Sequence, residues 1–276
     1  MSSSLSQASN MGMTSISSRL FLSRLRIRSR FSTLFNQKPK NIHGSAARSS
    51  RSIRDRSRPL FKMEGINGGS SASRVSTVSK GRISDDGSLS VQFQLSSSSA
   101  FVIQKGDITK WFVDGSTDAI VNPANERMLG GGGADGAIHD AAGPELRAAC
   151  YEYPEVRRGV RCPTGEARIT RGFRLPVSHV IHTVGPIYDM ASNPQASLRN
   201  SYKNSLQTAK ENNIQYIAFP AISCGVYRYP YDEAATIAIN TVKEFANDFK
   251  EVHFVLFSDD IYNAWLSKAK NLFQDQ

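Results

Sequence analysis

The sequence predicts an α/β fold in which helices cover both faces of a central β-sheet. From about Leu89 onward, strand-like and helix-like segments alternate along the chain. Short continuous apolar segments such as YIAF and FVLF are typical of strands that are buried on both faces. Ligands of such sheets bind outside the carboxyl ends of the strands, so we expect a site among the polar segments that follow them.

The first half of this region contains a predicted hairpin, a buried strand and a helix. LSVQFQL and AFVIQKGDIT are predicted strands joined by the serine run at 96–99, and DAIVNPAN is a buried strand that ends in turn residues. DGAIHDAAGPELRAAC is predicted to form one helix, because apolar residues recur at helical spacing: Ile138, Ala142, Leu146 and Ala149.

The second half continues the alternation. GEARITRGF, HVIHTVGPIY, YIAFPAIS and VHFVLFS are predicted strands, and LRNSYKNSLQTAKENN is a predicted amphipathic helix. The last helix, DDIYNAWLSKAKNLF, is expected to begin at Asp259 or Asp260. The apolar face of the predicted helix DEAATIAINTVKEFANDF consists of Ala234, Ala238, Val242, Phe245 and Phe249.

The positive charge of the chain is confined to its first part. The sequence has 34 basic and 24 acidic residues, and residues 1–54 contain ten of the basic residues and none of the acidic ones. The remainder therefore has 24 residues of each sign and is neutral. We accordingly expect no nucleic-acid partner for the folded domain, and no membrane association, because no apolar run approaches the roughly 20 residues of a membrane span.

Composition divides the chain into three regions. Residues 1–62 are rich in serine and arginine, which is typical of an organellar transit peptide. The arginines interrupt any helical apolar face, which a mitochondrial presequence would need, so we expect targeting to the chloroplast, with the mitochondrion as the alternative. The other interpretation is a disordered basic tail. Residues 63–88 are predicted to be a flexible linker, and residues 89–276 the folded domain.

The cysteines and histidines give no metal signature. No C-x-x-C pair occurs, so neither a disulfide framework nor a zinc site is expected. The simplest interpretation is that the protein is in a reducing compartment. Three histidines lie in predicted strands without metal-ligand partners at usable spacing, and we expect them to pack in the core: His179, His182 and His253. No metal and no cofactor are expected.

The segment LGGGGADGAIH is the strongest candidate for a ligand-binding loop. A P-loop needs Lys and Ser/Thr after its last glycine, but Ala134 and Asp135 follow Gly133. Gly131, Gly133 and Gly136 match the G-x-G-x-x-G pattern of dinucleotide-binding folds, but the acidic residue expected about 20 positions later falls in the proline-broken loop YEYPEV. Bare backbone amides at the start of a helix fit better, because they bind an anion without side chains.

A second amide-rich loop, SCGVY, follows another predicted strand. Two such loops that face each other are expected to hold a diphosphate. No lysine-rich pocket is then needed, which agrees with the neutral charge of the folded domain.

In order along the chain, VNPAN, LGGGGADGAIH, AAGPEL, TGEARIT, VIHTVGP, AISCGVYRYP and EAATIA resemble the macrodomain family, and within it the MacroD-type group. The resemblance extends from about Phe101 to Tyr262. It implies a three-layer α/β/α sandwich with a mixed, mostly parallel sheet. It also implies hydrolysis of ADP-ribose derivatives, and the partners ADP-ribose, O-acetyl-ADP-ribose and proteins mono-ADP-ribosylated on acidic side chains.

The resemblance also assigns ligand-binding residues. Asp107 and the Ile108 amide are expected at the adenine with Phe257 beside it, although Asp107 would serve equally as a helix cap and Phe257 as a core residue. Tyr227 is expected to pack on the distal ribose. The backbone near the phosphates is expected to be that of Gly131, Gly132, Gly133, Ser223, Cys224, Gly225 and Val226.

Three residues are expected to be catalytic: Asp135, Asn125 and His139. By resemblance, Asn125 hydrogen bonds the distal ribose, whereas Asn122 ties down the loop. Asp135 lies in the first turn of a helix, where the helix dipole favours the ionised carboxylate, so we expect it to polarise a water. His139 shares its helix face and is expected to orient the ribose or the loop; a purely structural histidine is equally compatible.

Other interpretations stay open at this level. The chain could bind ADP-ribose without turnover, or, less in keeping with the pattern, act as a dinucleotide-dependent oxidoreductase. Asp135 favours an enzyme, since amides alone suffice to bind a diphosphate. A nucleophilic Cys224 is disfavoured because no G-x-S/C-x-G elbow surrounds it. Arg228 stands where the family usually has glycine, and would be strained if that position requires a positive φ.

Overall fold

The computed structural model describes residues 80–83 and 89–274. The predicted transit-like segment at 1–62 and most of the predicted linker lie outside these residues. No helix in the described part is long and apolar enough to cross a membrane.

The described residues form one eight-stranded sheet with the order β1-β2-β3-β8-β7-β4-β6-β5. The five strands from β3 to β6 pair in parallel, whereas β1, β2 and β5 add antiparallel pairs at the two edges. The prediction of a mixed, mostly parallel sheet is confirmed. The strands are β1 (Lys80–Ile83), β2 (Leu89–Gln94), β3 (Ala100–Lys105), β4 (Asp118–Pro123), β5 (Ala167–Arg171), β6 (His179–Thr183), β7 (Tyr216–Phe219) and β8 (Glu251–Leu256).

The helices form two layers because the central strands direct alternate side chains to opposite faces of the sheet. Ile120 of β4 packs with the apolar faces of α1 and α2, while its neighbours Ala119 and Val121 join the cluster that contains the buried faces of α3, α4 and α5. The three-layer α/β/α sandwich is therefore confirmed. The helices are α1 (Gly133–Ala142), α2 (Pro144–Tyr151), α3 (Pro194–Glu211), α4 (Tyr231–Lys243) and α5 (Asp259–Gln274), with a 3₁₀ helix at Ile108–Lys110.

Two predicted helices are shorter than expected. The segment predicted as one helix is divided between α1 and α2 at Gly143, which has a φ of 83°, and Pro144, which begins α2. Proline lacks an N–H and its ring clashes with the preceding turn, so it starts a helix readily but does not continue one. α4 ends at Lys243, and Phe245 and Phe249 are buried beyond it, in the core rather than on a helix face.

β1 lies within the segment predicted as linker, where it pairs antiparallel with β2. The prediction of a flexible linker at 63–88 is corrected at this strand. An edge strand is held by backbone hydrogen bonds to one neighbour, which need no apolar periodicity, so the sequence KGRI gave no signal.

The carboxyl ends of β3, β8, β7, β4 and β6 lie side by side along one edge of the sheet. Neighbouring strands are about 4.8 Å apart, so this edge is roughly 19 Å long. The segments that follow the five strands contain, in spatial order, Asp107, Phe257, Ser223, Asn125 and Gly185.

Candidate active site

A cleft of about 420 Å³ lies at the carboxyl ends of β7, β4 and β6. Two segments form its walls: the glycine loop, residues 129–133, which leads into α1, and the β7–α4 loop, residues 220–230. The structure thus brings most predicted site residues together. Those that line the cleft are Asn125, Gly131, Gly132, Gly133, Asp135, Ser223, Gly225, Val226 and Tyr227.

The glycine loop leaves the start of α1 bare. Gly132 precedes the helix and has no side chain to cap it, so the first N–H groups of α1 keep free hydrogens at the cleft wall. A Cβ at Gly131 would lie 2.9 Å from Oδ2 of Asp135 and 3.1 Å from Nδ2 of Asn125. Glycine at that position therefore lets the loop backbone pass directly against both side chains.

The β7–α4 loop supplies a second set of free amides. It folds back on itself through hydrogen bonds from Arg228 N to Gly225 O and from Tyr229 N to Ser223 O, both 3.0 Å long. Four of its N–H groups donate to no other described residue: those of Ser223, Gly225, Val226 and Tyr227. Together with the start of α1, these donors form an anion-binding arrangement that needs no cationic side chain.

Asp135 is only 4% exposed, and its two carboxylate oxygens have different surroundings. Oδ1 accepts a 2.8 Å hydrogen bond from Asn122 and lies 3.6 Å from Nε2 of His139. Oδ2 lies 3.4 Å from Nδ2 of Asn125 and faces Gly131. One oxygen is therefore held from behind, and the other lies on the Asn125 side, where the cleft opens.

The electrostatic surroundings of Asp135 differ from the expectation. Burial raises the pKa of this carboxyl above its ordinary value, and the Asn122 hydrogen bond and the nearby His139 oppose the shift only in part. The sequence indicated only the helix dipole, which favours the ionised carboxylate, and gave no sign of the burial that raises the pKa. A carboxylate with a raised pKa is a stronger base, which still suits activation of a water.

A chain of buried polar side chains continues behind Asp135 to the edge strand β5. Nδ2 of Asn122 lies 3.1 Å from Nδ1 of His182, whose Nε2 lies 2.9 Å from Oγ1 of Thr170. Burial lowers the pKa of His182 to about 3, so its ring is neutral. Because Nδ2 of Asn122 is a donor, Nδ1 of His182 accepts and its Nε2–H donates to Thr170. We call these residues, Asn122, His182 and Thr170, the support chain.

His139 lies outside the cleft lining. Its ring is beneath Gly130, whose Cβ would come within 3.4 Å of the ring, and it lines a separate cavity with Arg147 and Asp140. Its Nε2 is buried without a hydrogen-bond partner among the described residues, and burial lowers the pKa of the ring. The structure places His139 behind the glycine loop and Asp135 rather than in the cleft lining, and its catalytic role stays a prediction.

The tertiary structure places one group of metal-ligand atoms together, which the sequence did not predict. The ligand atoms of His139, Cys150 and His182 lie within 4.8 Å of one another. Burial raises the pKa of the Cys150 thiol to about 12, and Nε2 of His182 already faces Thr170. Since a metal requires a thiolate and an unprotonated nitrogen, the cluster fits a packed, hydrogen-bonded core better than a metal site.

The residues predicted at the adenine lie together, beyond the end of the cleft. Asp107 and Phe257 follow β3 and β8, which are neighbours in the sheet. Asp107 does cap the 3₁₀ helix, since its Oδ1 accepts from N and Oγ1 of Thr109 at 3.0 and 2.7 Å. Ile108 is buried. Phe257 is 82% exposed, so it is not a core residue and its ring is open to a ligand.

Two residues of the β7–α4 loop have notable surroundings. Cys224 is buried rather than exposed to the cleft, and burial raises the pKa of its thiol to about 12, which argues against a nucleophile. Arg228 has a φ of 56°. The sequence analysis expected backbone strain if this position requires a positive φ, and the structure meets that condition. Its side chain does not line the cleft.

Sequence reasoning missed three contributors to the site: His182, Thr170 and Gly185. A Cβ at Gly185 would overlap Oγ of Ser223 and the side chain of Ile222, so only glycine lets the end of β6 approach the β7–α4 loop. The motif VIHTVGP at a strand end was a usable signal for Gly185. The support chain gave no such signal, because it depends on which strands are neighbours.

Comparison with known proteins gives one consistent result. The family model described as Macro domain matches residues 121–238. A macro domain-containing protein of Xanthomonas campestris is 48% identical over 167 residues, which is 59% of this chain and 91% of the relative. A Klebsiella pneumoniae protein named O-acetyl-ADP-ribose deacetylase is 52% identical over 55% of this chain and 84% of its own length.

Solved structures agree with the sequence comparisons. The Oceanobacillus iheyensis macrodomain, solved with ADP, is 43% identical and superposes with a TM-score of 0.63, covering 68% of this chain and 98% of its own. The Trypanosoma brucei macrodomain in complex with ADP-ribose is 35% identical with a TM-score of 0.53, over 61% of this chain and 68% of its own.

Proposed function

The chain belongs to the macrodomain family, and on that basis we propose that it is a hydrolase of ADP-ribose derivatives. ADP-ribose binds along the carboxyl edge of the sheet. The protein hydrolyses one or both of two substrates: proteins whose acidic side chains are esterified by ADP-ribose, and O-acetyl-ADP-ribose. The relatives named O-acetyl-ADP-ribose deacetylase and the neighbours solved with ADP or ADP-ribose support this proposal.

The order of strands along the edge supports the orientation of the ligand. Phe257 and Asp107 follow the strands at one end, and the free amides of the β7–α4 loop and of the start of α1 lie at the middle. The base therefore stacks near Phe257, the diphosphate accepts hydrogen bonds from the two sets of amides, and the distal ribose lies between Asn125 and Tyr227.

The position of Asp135 is the observation that carries the hydrolase. A site that only binds a diphosphate gains nothing from a buried carboxylate, which costs desolvation and repels the phosphates. Asp135 nevertheless lines the cleft and is held by Asn122 at 2.8 Å. A fixed carboxylate beside the distal ribose is what activation of a water requires.

The reaction proceeds by attack of water on the ester. Asp135 accepts a proton as the water oxygen attacks the acyl carbon; the bond between that carbon and the ribose oxygen breaks, and the departing ribose oxygen takes up the proton. For an esterified acidic side chain, attack on the anomeric carbon instead breaks the bond to the side-chain carboxylate, which leaves ionised. The products are free ADP-ribose and a carboxylic acid, which is acetate or the restored side chain. Asn125 hydrogen bonds the ribose and keeps Oδ2 of Asp135 directed towards the water.

The test follows release of free ADP-ribose by the full chain from a glutamyl-ADP-ribosylated protein and from O-acetyl-ADP-ribose. Asp135→Asn should lower release by at least about 10²-fold and retain ADP-ribose binding by calorimetry. Asp140→Asn, an exposed carboxylate one helical turn later, is the control and should behave as wild type. If the wild-type protein binds ADP-ribose but releases none from either substrate, the protein is a binding module and not a hydrolase.

We also propose that residues 1–62 direct the chain to the chloroplast. A fluorescent fusion of this segment should accumulate in plastids. Mitochondrial signal would favour the alternative address, and diffuse cytosolic or nuclear signal would contradict a transit peptide.

A further inference from the structure

A second cavity, of about 690 Å³, adjoins the cleft at its distal-ribose end. The two cavities share Asn125, Gly185 and Tyr227. The second cavity continues away from Phe257, past the segment that follows β6 and onto the first turn of α3. We call it the acceptor cavity. In the orientation proposed above for ADP-ribose, a group joined to the distal ribose leaves the cleft in this direction.

The rim of the acceptor cavity holds apolar side chains in solvent. Met190 is 79% exposed and Ile187 is 40% exposed. They belong to a turn closed by hydrogen bonds from Met190 N and Ala191 N to Ile187 O, at 3.1 and 3.0 Å. Tyr188 N also donates to Tyr227 O at 3.0 Å. The apolar rim is therefore held against the cleft rather than free to fold inward.

The lining of the acceptor cavity also has an uncompensated positive charge. Arg127 is exposed and has no ion-pair partner among the described residues. Glu126 also lines the cavity, but Arg157 pairs with it at 3.0 Å and Thr164 donates to it through N and Oγ1 at 3.2 Å. An incoming ligand therefore meets the positive charge of Arg127 and the apolar rim formed by Met190 and Ile187.

We propose that the acceptor cavity binds the polypeptide that carries the ADP-ribosyl group, with an acidic neighbour of the modified residue at Arg127 and an apolar neighbour at Met190. This inference rests on the proposed function. The volume supports a polypeptide, because about 690 Å³ lies within the roughly 300–1,000 Å³ of pockets that bind drug-sized ligands, far more than an acetyl group fills.

The first test is a binding measurement that needs no turnover. ADP-ribose and a hydrolysis-resistant conjugate of ADP-ribose with a short peptide are titrated into the full chain, and the peptide has one acidic and one apolar residue beside the linkage. We expect the conjugate to bind about tenfold more tightly than ADP-ribose. Equal affinities would overturn the acceptor cavity.

Variants then assign the gain to the cavity. Met190→Glu and Arg127→Glu should remove the gain in affinity while the affinity for ADP-ribose itself stays within about twofold. A conjugate with lysine in place of the acidic neighbour should lose the gain with wild type and recover it with Arg127→Glu. Phe112→Glu, at a residue 59% exposed that does not line the cavity, is the matched control and should keep the gain.

The outcomes separate this inference from the proposed function. Tighter binding of the conjugate without release of ADP-ribose from any substrate would overturn the hydrolase and keep the acceptor cavity. Release of ADP-ribose with no difference between the two ligands would keep the hydrolase and overturn the cavity. A gain that both cavity variants retain would also overturn it.

Discussion

Asn122 donates a 2.8 Å hydrogen bond to Oδ1 of Asp135, and so joins the central strand β4 to the first turn of α1. Both residues are buried, so neither group can exchange this bond for water. The bond fixes the carboxylate and partly offsets the cost of its burial. Behind Asn122, His182 and Thr170 continue the hydrogen bonds of the support chain, and neither residue lines the cleft.

Removal of this hydrogen bond should shift the pH dependence of hydrolysis. Asn122 stabilises the ionised form of Asp135, so Asn122→Ala raises the pKa of that carboxyl further above its ordinary value. Since the ionised form is the base, the acidic limb of kcat/KM against pH should move to higher pH. An unmoved limb would show that Asp135 is not the titrating base, and Asp140→Asn should leave the limb in place.

Asp135→Asn should stabilise the protein, by about 1 kcal/mol near neutral pH, because it replaces a desolvated carboxylate with a neutral group. The folded-state pKa of Asp135 is raised, so wild-type stability from this group is complete below the ordinary aspartate pKa and is lost as pH rises through the folded pKa. The advantage of the variant should therefore grow with pH across that interval. Denaturant unfolding at several pH values measures it, and a constant difference would contradict the assignment.

Thr170→Val should lower kcat more than it changes KM. The substitution keeps the shape but removes the oxygen that accepts from Nε2–H of His182, so the imidazole and then Asn122 lose their fixed orientation. Loss of one such bond is worth about 1 kcal/mol, which corresponds to roughly fivefold to tenfold in rate. Thr170→Ser restores the hydroxyl and should rescue kcat. Equal kcat values for Thr170→Val and Thr170→Ser would exclude a role for the support chain.

Gly131→Ala should impair catalysis through a steric clash. Its Cβ would lie 2.9 Å from Oδ2 of Asp135, and displacement of that oxygen by a few tenths of an ångström to 1 Å is expected to cost up to about 10²-fold in rate. Gly132→Ala is the control for stability, because nothing lies within 4 Å of its Cβ position. Comparable melting temperatures of the two variants, with a rate loss but retained ADP-ribose binding in Gly131→Ala, would support this account.

Arg228→Gly should stabilise the folded state. Arg228 has a φ of 56°, a left-handed conformation that costs a non-glycine residue about 1–2 kcal/mol, whereas glycine loses about 0.5–1 kcal/mol of entropy on folding. The net gain is expected to be up to about 1 kcal/mol by denaturant unfolding. Arg228→Ala removes the same charge but keeps a Cβ, so it should show no such gain, and an equal gain would assign the effect to the charge.

The layered α/β fold and the main loops of the site could be predicted from the amino-acid sequence alone. Short continuous apolar strands, helical spacing and the glycine tract before a carboxylate are local patterns, so they can be recognised without knowledge of distant residues. The sequence also placed Asp135, Asn125 and Tyr227 correctly in one cleft, because the ends of parallel strands share an edge.

The side chains that contact the cleft residues from the core could be identified only from the tertiary structure. The sequence did not indicate that His182 of β6 and Thr170 of β5 reach Asn122, since this depends on strand order and register. Burial, which raises the pKa of Asp135, also depends on the surrounding layers. His139 shows the same limit: helical spacing placed it on one helix face with Asp135, but only packing showed that its ring lies against Gly130, in a separate cavity, rather than in the cleft.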